Sequence, residues 1–208
     1  MINFENLDKF TFTGFGKYDI PQIEPVKEYP QGEFIPVNYA KTEKDPSSKI
    51  VHCFVDDYQF ERMWREPLAY INLIGEFHSI MTPDFSLYTD YPKALQIYNH
   101  YRKHWLGALW QSMGYKVIPT IAWSDKESFD WCFDGTPKCA TVAVSSVGTQ
   151  RSKETKQLFL DGWNEMLRRL EPETVIFYGE IPKECNANII RIKSFQDKFS
   201  DVKADYEW

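Results

Sequence analysis

Paired cysteines, long apolar runs, glycine-rich phosphate loops and an excess of basic residues are all missing from this 208-residue chain, and each absence narrows what it can be. The 4 cysteines, Cys53, Cys132, Cys139 and Cys185, are scattered. They form no C-x-x-C pair and have no histidine at zinc-ligand spacing, which points to reduced, mostly buried thiols. No apolar run reaches the ~20 residues that cross a bilayer. The opening MINFENLDKF has neither a basic start nor an apolar segment, so the chain reads as soluble and cytoplasmic, with no membrane partner. Lys and Arg number 24 against 30 Asp and Glu, a formal net charge of -6. Phosphate contacts need clustered cations, so a broad nucleic-acid-binding face is not expected, while a local basic groove is compatible with the totals. Neither a Walker A spacing, a G-x-G-x-x-G nor a G-x-S-x-G elbow occurs.

Aromatic residues are abundant instead: 7 Trp, 12 Tyr and 15 Phe. They serve a core, an interface or a stacking pocket, and composition alone does not choose. The length suits one domain with a core that needs no disulfide or metal staple. Residues 1–49 carry Pro21, Pro25, Pro30, Pro36 and Pro46 with little periodicity, which predicts an extended, irregular segment. Its Phe4, Phe10, Phe12, Phe15 and Tyr18 predict that it packs on the body. The body, residues 50–208, reads as a single α/β domain.

From Ile50 short apolar runs alternate with helical stretches. IVHCFVDD, SIMTPDFS, KVIPTIAW, TVAVSS and TVIFYG are predicted strands, with NIIRI a weaker sixth. Helices in most of the gaps predict a largely parallel sheet with crossover helices. The chain is short for a complete eight-fold barrel, so an open sheet or incomplete barrel is expected. One helix is predicted from about Pro92 to Met113, stopped by Gly114, and another from Ser152 to about Leu170, closed by Pro172. Pro119 lies inside KVIPTIAW, which places that strand at an edge or on a bulge.

In parallel α/β folds ligands bind beyond the carboxyl ends of the strands. Those ends carry Asp56, Asp57, Asp84, Ser86, Trp123, Ser145 and Tyr178. Alternation puts Thr82, Asp84 and Ser86 on one face, and Pro83 holds the extended geometry around Asp84. Asp84 either works in the cleft or caps a turn through nearby amides. Alternation sends Asp56 and Asp57 to opposite faces, so only one meets Asp84. That pair would bind a divalent cation such as Mg2+ or act as an acid/base couple, and the alternative is that one aspartate caps the helix near Tyr58. On the long helix Asn99 and Arg102 share a face, and Arg102 either contacts an anion or forms a structural salt bridge. His100 and His104 have i, i+4 spacing without the glutamate or third ligand of a zinc motif. VSSVGTQRSKE offers hydroxyls and amides ahead of a helix, a weak anion-binding signal. DWCFDGTP is accounted for by turn chemistry.

Taken together, FVDDYQFERMW, MTPDFSLYTDYP, QIYNHYRKHWLGALWQSMGYKVIPTIAW, WCFDGTP and IFYGEIP resemble a family from phages and mobile elements of Gram-positive bacteria, described as domain of unknown function 4417. The resemblance runs from GKYDIP onward. Asp56, Asp57, Tyr58, Gln59, Asp84, Ser86, Asn99, Arg102, Asp134 and Gly135 match its pattern. VSSVGTQ departs from it, where a turn richer in glycine and histidine is expected, and so does Tyr91 before Pro92. The resemblance implies cytoplasmic expression in a mobile-element context and brings no established activity.

The expectation is therefore an α/β protein that binds or processes a small anionic ligand, a nucleotide or nucleic-acid end, at the carboxyl rim. Asp84 and Asp56 are the expected acid/base or Mg2+-binding groups, and Asp57, Ser86, Asn99, Arg102, Trp123, Ser145 and Tyr178 the expected ligand contacts. If it is an enzyme, metal-assisted hydrolysis is the simplest chemistry. The rival expectation is a non-catalytic module that sequesters a ligand or blocks a host protein.

Overall fold

A computed structural model describes residues 6, 9–26 and 30–194. Phe4 and residues 195–208, part of the predicted N-terminal packing and of the predicted domain, lie outside the described residues. A short antiparallel pair, β1 (Gly14–Phe15) and β2 (Ile20–Pro21), precedes two four-stranded parallel sheets. The first runs in the order β3 (Glu33–Pro36), β4 (Lys49–His52), β5 (Ser79–Met81), β6 (Val117–Ile118). The second comprises β7 (Thr120–Ile121), β8 (Thr141–Ser145), β9 (Thr174–Tyr178), β10 (Ile189–Ile192), in that order.

Pro119 is the junction between the sheets, and the two halves it separates, β6 and β7, are each the edge strand of their own sheet, as the proline suggested. Proline has no N–H to give a ladder. The strand therefore breaks there: Ile118 O accepts from Thr82 N on one side, and Pro119 O accepts from Ala143 N on the other. The Thr82 and Thr120 hydroxyls meet at 2.9 Å and Thr120 N donates to Thr82 Oγ1, closing the break with side-chain bonds. Both sheets thus share one broken strand, and no closed barrel results.

Strand alternation separates two faces. Ile50, Met81, Ile118, Ala143, Ile176 and Ile192 point to one interior cluster, joined by Phe34 from β3. Strands from both ends of the series share that cluster, so the assembly is curled. On the outer face Val51, Ile80 and Val117 pack with Trp105, Leu106 and Leu109 of α3 (Lys93–Ser112). Val142, Val144, Val175 and Phe177 pack with Phe159, Trp163 and Met166 of α4 (Lys153–Leu170). Being covered on both sides explains why the strands read as nearly continuous apolar runs.

Both long helices stop where the sequence indicates. Gly114, at φ +86, donates to Gln111 O beyond α3. A reciprocal Ser152–Thr155 capping box opens α4, and left-handed Glu171 closes it before Pro172. Two short helices, α1 (Glu61–Arg65) and α2 (Ile71–Gly75), fill the crossover from β4 to β5. The N-terminal segment is largely irregular, yet Glu33–Pro36 enters the sheet as an edge strand. Phe10, Phe12 and Tyr18 pack on the body as expected, whereas Phe15 is exposed.

Candidate functional site

A cavity of about 1290 Å³ opens at the carboxyl ends of the strands. Asp56, Asp57, Asp84, Ser86, Trp123, Ser145 and Tyr178, drawn from five predicted strand ends, all line it. The strands stop earlier than predicted. β4 ends at His52 and β5 at Met81, so it is irregular chain that carries Asp56 to Asp57 and Asp84 to Ser86 into the rim.

This changes the pairing of carboxylates. Beyond β4 the chain turns into a 3-10 helix at Asp57–Gln59, with Asp56 preceding it and making no capping bond. Asp56 is exposed. Asp57, rather than Asp56, is the carboxylate whose charge acts on Asp84. Its two oxygens accept from Ser86: Oδ2 from the amide at 3.0 Å and Oδ1 from the hydroxyl at 2.9 Å. Asp57 and Ser86 therefore occupy each other across the crossover.

Asp84 is half-buried in the cavity wall. Burial, which disfavours the charged form, pushes its carboxyl up to about 6, opposed by the Lys103 ammonium and reinforced by Asp57. A carboxyl at that value changes protonation state close to neutral pH.

Arg102 and Asn99 do not line the cavity. Arg102 Nη1 binds both carboxylate oxygens of Glu61, at 2.8 and 3.0 Å, and the guanidinium lies 3.7 Å from the centre of the Phe85 ring. It is committed to a structural ion pair, not to an anionic ligand, because α1 brings Glu61 against α3. Asn99 Oδ1 accepts from Arg102 Nε, and Asn99 Nδ2 donates to Ser86 O at 2.7 Å. These two residues fasten the rim segment from behind.

The aromatic walls divide by role. Trp123 stands against Phe159, with ring centroids 5.3 Å apart, over the bare backbone of Gly162. Tyr178 stacks on Phe54 at 4.9 Å, with His52 beside both. Tyr39, Tyr58 and Tyr88 line the mouth and are 58%, 77% and 57% exposed. His52 and Phe54 were missed in the sequence, although their alternation with inward-facing Ile50 marks them. Tyr39 carries no such signal, since only the turn after β3 brings it to the rim.

The VSSVGTQ turn borders the cavity through Ser145, Val147 and Thr149, but Ser146 Oγ donates to Glu180 O and Thr149 Oγ1 to Ser146 O, so those two hydroxyl protons are used locally. Among the described residues no group of three or more His, Cys, Asp or Glu side chains is arranged to hold a metal ion. Cys53, Cys132 and Cys185 are buried thiols and Cys139 is exposed, all unpaired. Burial pushes Cys132 and Cys185 up to about 12, which makes them poor nucleophiles.

Comparison with known proteins adds context without a mechanism. The family model Domain of unknown function (DUF4417) matches residues 12–196. Gene 1 protein of Mycobacterium phage L5 is 38% identical over 185 residues, covering 86% of this chain and 78% of the relative. Gene 1 protein of Mycobacterium phage D29 is 36% identical over 194 residues, covering 90% and 70%. No solved structure matches the chain. Among the described residues no helix is long and apolar enough to cross a membrane.

Proposed function

The chain belongs to the family described as Domain of unknown function (DUF4417), and from that premise and the rim geometry we propose that it binds a nucleotide, or the end of a nucleic-acid chain, and acts on it through Asp84. One observation carries the reading: a half-buried carboxyl, pushed up to about 6, in the wall of a large aromatic cavity at the carboxyl ends of a parallel sheet. Such a group exchanges a proton near neutrality, which suits a general acid or base. Trp123 and the Tyr178–Phe54 stack supply flat surfaces for a base, and stacking contributes about 1–3 kcal/mol per base. The cavity exceeds the roughly 300–1,000 Å³ of ordinary ligand pockets, leaving room for a cation or for a second nucleotide.

Charge decides how a phosphate would enter. Asp56, Asp57 and Asp84 line the cavity against Lys193, so a bare phosphate meets net repulsion. A divalent cation held by Asp56 and Asp84 would reverse the sign, and Mg2+ is the cation that combines one or two carboxylates with substrate phosphates. Metal-assisted hydrolysis is the chemistry this supports.

The test is equilibrium binding of nucleoside mono-, di- and triphosphates and short oligonucleotides, with and without MgCl2, followed by product analysis. Binding, and turnover that disappears in Asp84→Asn while the thermal melt is preserved, is the expected result. If no ligand of either class binds under any of these conditions, the reading is wrong. Quantitative recovery of unchanged ligand from a tight complex would instead establish sequestration. The exposed Tyr39, Tyr58 and Tyr88 favour a second reading, in which the mouth docks a host protein. That reading requires a defined complex lost in Tyr58→Ala and Tyr88→Ala and untouched by Asp84→Asn.

A further inference from the structure

Gln96 is buried on α3, 1% exposed, and the proposed function gives it no task. Its side-chain amide joins two loops of the rim. Nε2 donates to Tyr91 O at 2.9 Å, and Oε1 accepts from Ser124 Oγ at 2.5 Å. The carbonyl of Tyr91 only accepts, which fixes the amide with its nitrogen toward Tyr91 and its oxygen toward Ser124. Tyr91 lies in the loop that follows β5, and Ser124 stands next to Trp123 in the loop that follows β7. One side chain therefore spans from the Tyr91 loop to the Trp123 loop, and Tyr91 and Trp123 both line the cavity.

Each loop is held by further bonds. Helix periodicity makes Gln96 and Asn99 neighbours on α3, and Asn99 donates to Ser86 O, so α3 clasps the Tyr91 loop at both ends. In the other loop Ser124 N donates to Ser128 Oγ and Ser128 N to Asp125 Oδ1, while Lys93 Nζ donates to both Asp125 oxygens at 3.0 Å. Lys93 opens α3, so this ion pair repeats the buried link nearer the surface. The spacing is set by the amide: two short hydrogen bonds and one amide group keep Tyr91 O within roughly 8 Å of Ser124 Oγ. A flat ring touched on both faces at about 3.5–4.0 Å needs walls about 7–8 Å apart. Phe159 backs Trp123, and Tyr88 packs edge to face on Tyr91 at 5.1 Å.

We propose that Tyr91 and Trp123 form the two walls of a slot that takes one planar base, and that Gln96 is the positioning residue that sets its width. The inference rests on the reading of the ligand as a nucleotide or nucleic-acid end, and it adds that the inserted unit is gripped through its flat faces. Stacking of this kind accepts every base, since each has a π-face. Loss of the Gln96 bridge lets the loops part, and a base is then stacked on one side only.

The probes are the four nucleoside monophosphates, the four nucleosides and a short oligodeoxyadenylate, each titrated with MgCl2 present. Every probe that binds the wild type is measured against Trp123→Ala, Tyr91→Ala, Gln96→Met and the Trp123→Ala/Gln96→Met double variant. The expected result is a loss of affinity of at least about fivefold in each single variant, with the double variant within about twofold of its weaker parent, because both changes act on one slot. An unchanged affinity in folded Gln96→Met, or losses that multiply in the double variant, overturns the proposal while leaving nucleotide binding in place. If Gln96→Met does not fold, Ser124→Ala, which removes the hydroxyl at one end of the same bridge, replaces it under the same criteria. Nucleosides bound without any nucleotide or oligonucleotide would sink the proposed function alone, and the same criteria applied to the nucleosides then decide the slot. A wild type that binds none of the probes sinks both.

Discussion

Gly162→Ala inverts an ordinary expectation. In the middle of a helix, alanine in place of glycine stabilises by about 1 kcal/mol when nothing is in the way. Here something is: a Cβ on Gly162 would lie 2.2 Å from Trp123 Nε1 and 2.3 Å from Cε2. Ordinary contact starts at 3.4 Å, so the indole must recede by about 1.2 Å in a wall where overpacking typically costs 1–3 kcal/mol. Phe159 and Phe133 flank the ring, and its open direction is the cavity. The net expectation is a loss of about 0–2 kcal/mol by urea unfolding, with the stacking wall displaced inward and ligand affinity reduced. In a Trp123→Ala background the same substitution should stabilise by about 1 kcal/mol, since the obstacle is gone. A Gly162→Ala protein about 1 kcal/mol more stable than the wild type would refute the packing described for Trp123.

Two further outcomes are expected from the electrostatics and the rim fastening. Asp84, at about 6 in the folded protein against 3.8 ordinarily, contributes stability that is full below about pH 4 and is lost as pH rises through 6. His104, about 3 against 6.5, and His100 contribute the opposite way, full above 6.5 and lost as pH falls. Between pH 6 and 5 the two histidines outweigh Asp84, so stability falls as pH falls, and it falls more steeply in Asp84→Asn; urea titrations at the two pH values would expose an unchanged slope. Asn99→Ala, which strands Ser86 O and Arg102 Nε, should cost about 2 kcal/mol and accelerate amide exchange at Ser86. Unaltered exchange there would show that the rim is held by something else.

The sequence made the inner architecture legible because strands covered on both faces give runs of apolar residues whatever surrounds them. All six predicted runs contain a strand. Glu33–Pro36 escaped notice because proline and a short edge position hide period two. KVIPTIAW contained a true conflict, and the fold resolves it by breaking the strand at Pro119 and sharing its halves between two sheets. At the site, strand-end logic brought seven named residues to one cavity. It failed for Arg102, whose Glu61 partner is 41 positions away and reaches it only through the packing of α1 on α3. It also could not foresee that Asp57 is the carboxylate whose charge acts on Asp84, because the chain leaves the strand at His52 and period two no longer governs the residues beyond it.

The two sheet edges have a consequence of their own. Among the described residues β3 and β10 are sheet edges that do not pair with each other, and both Pro36 and Ile192 to Ser194 border the cavity. A sealed barrel admits its ligand through one end and measures it by length. Under the proposed function, unpaired edges would let a polymer lie across the rim with a single unit inserted, and affinity would follow the planarity and charge of that unit and not the length of the chain.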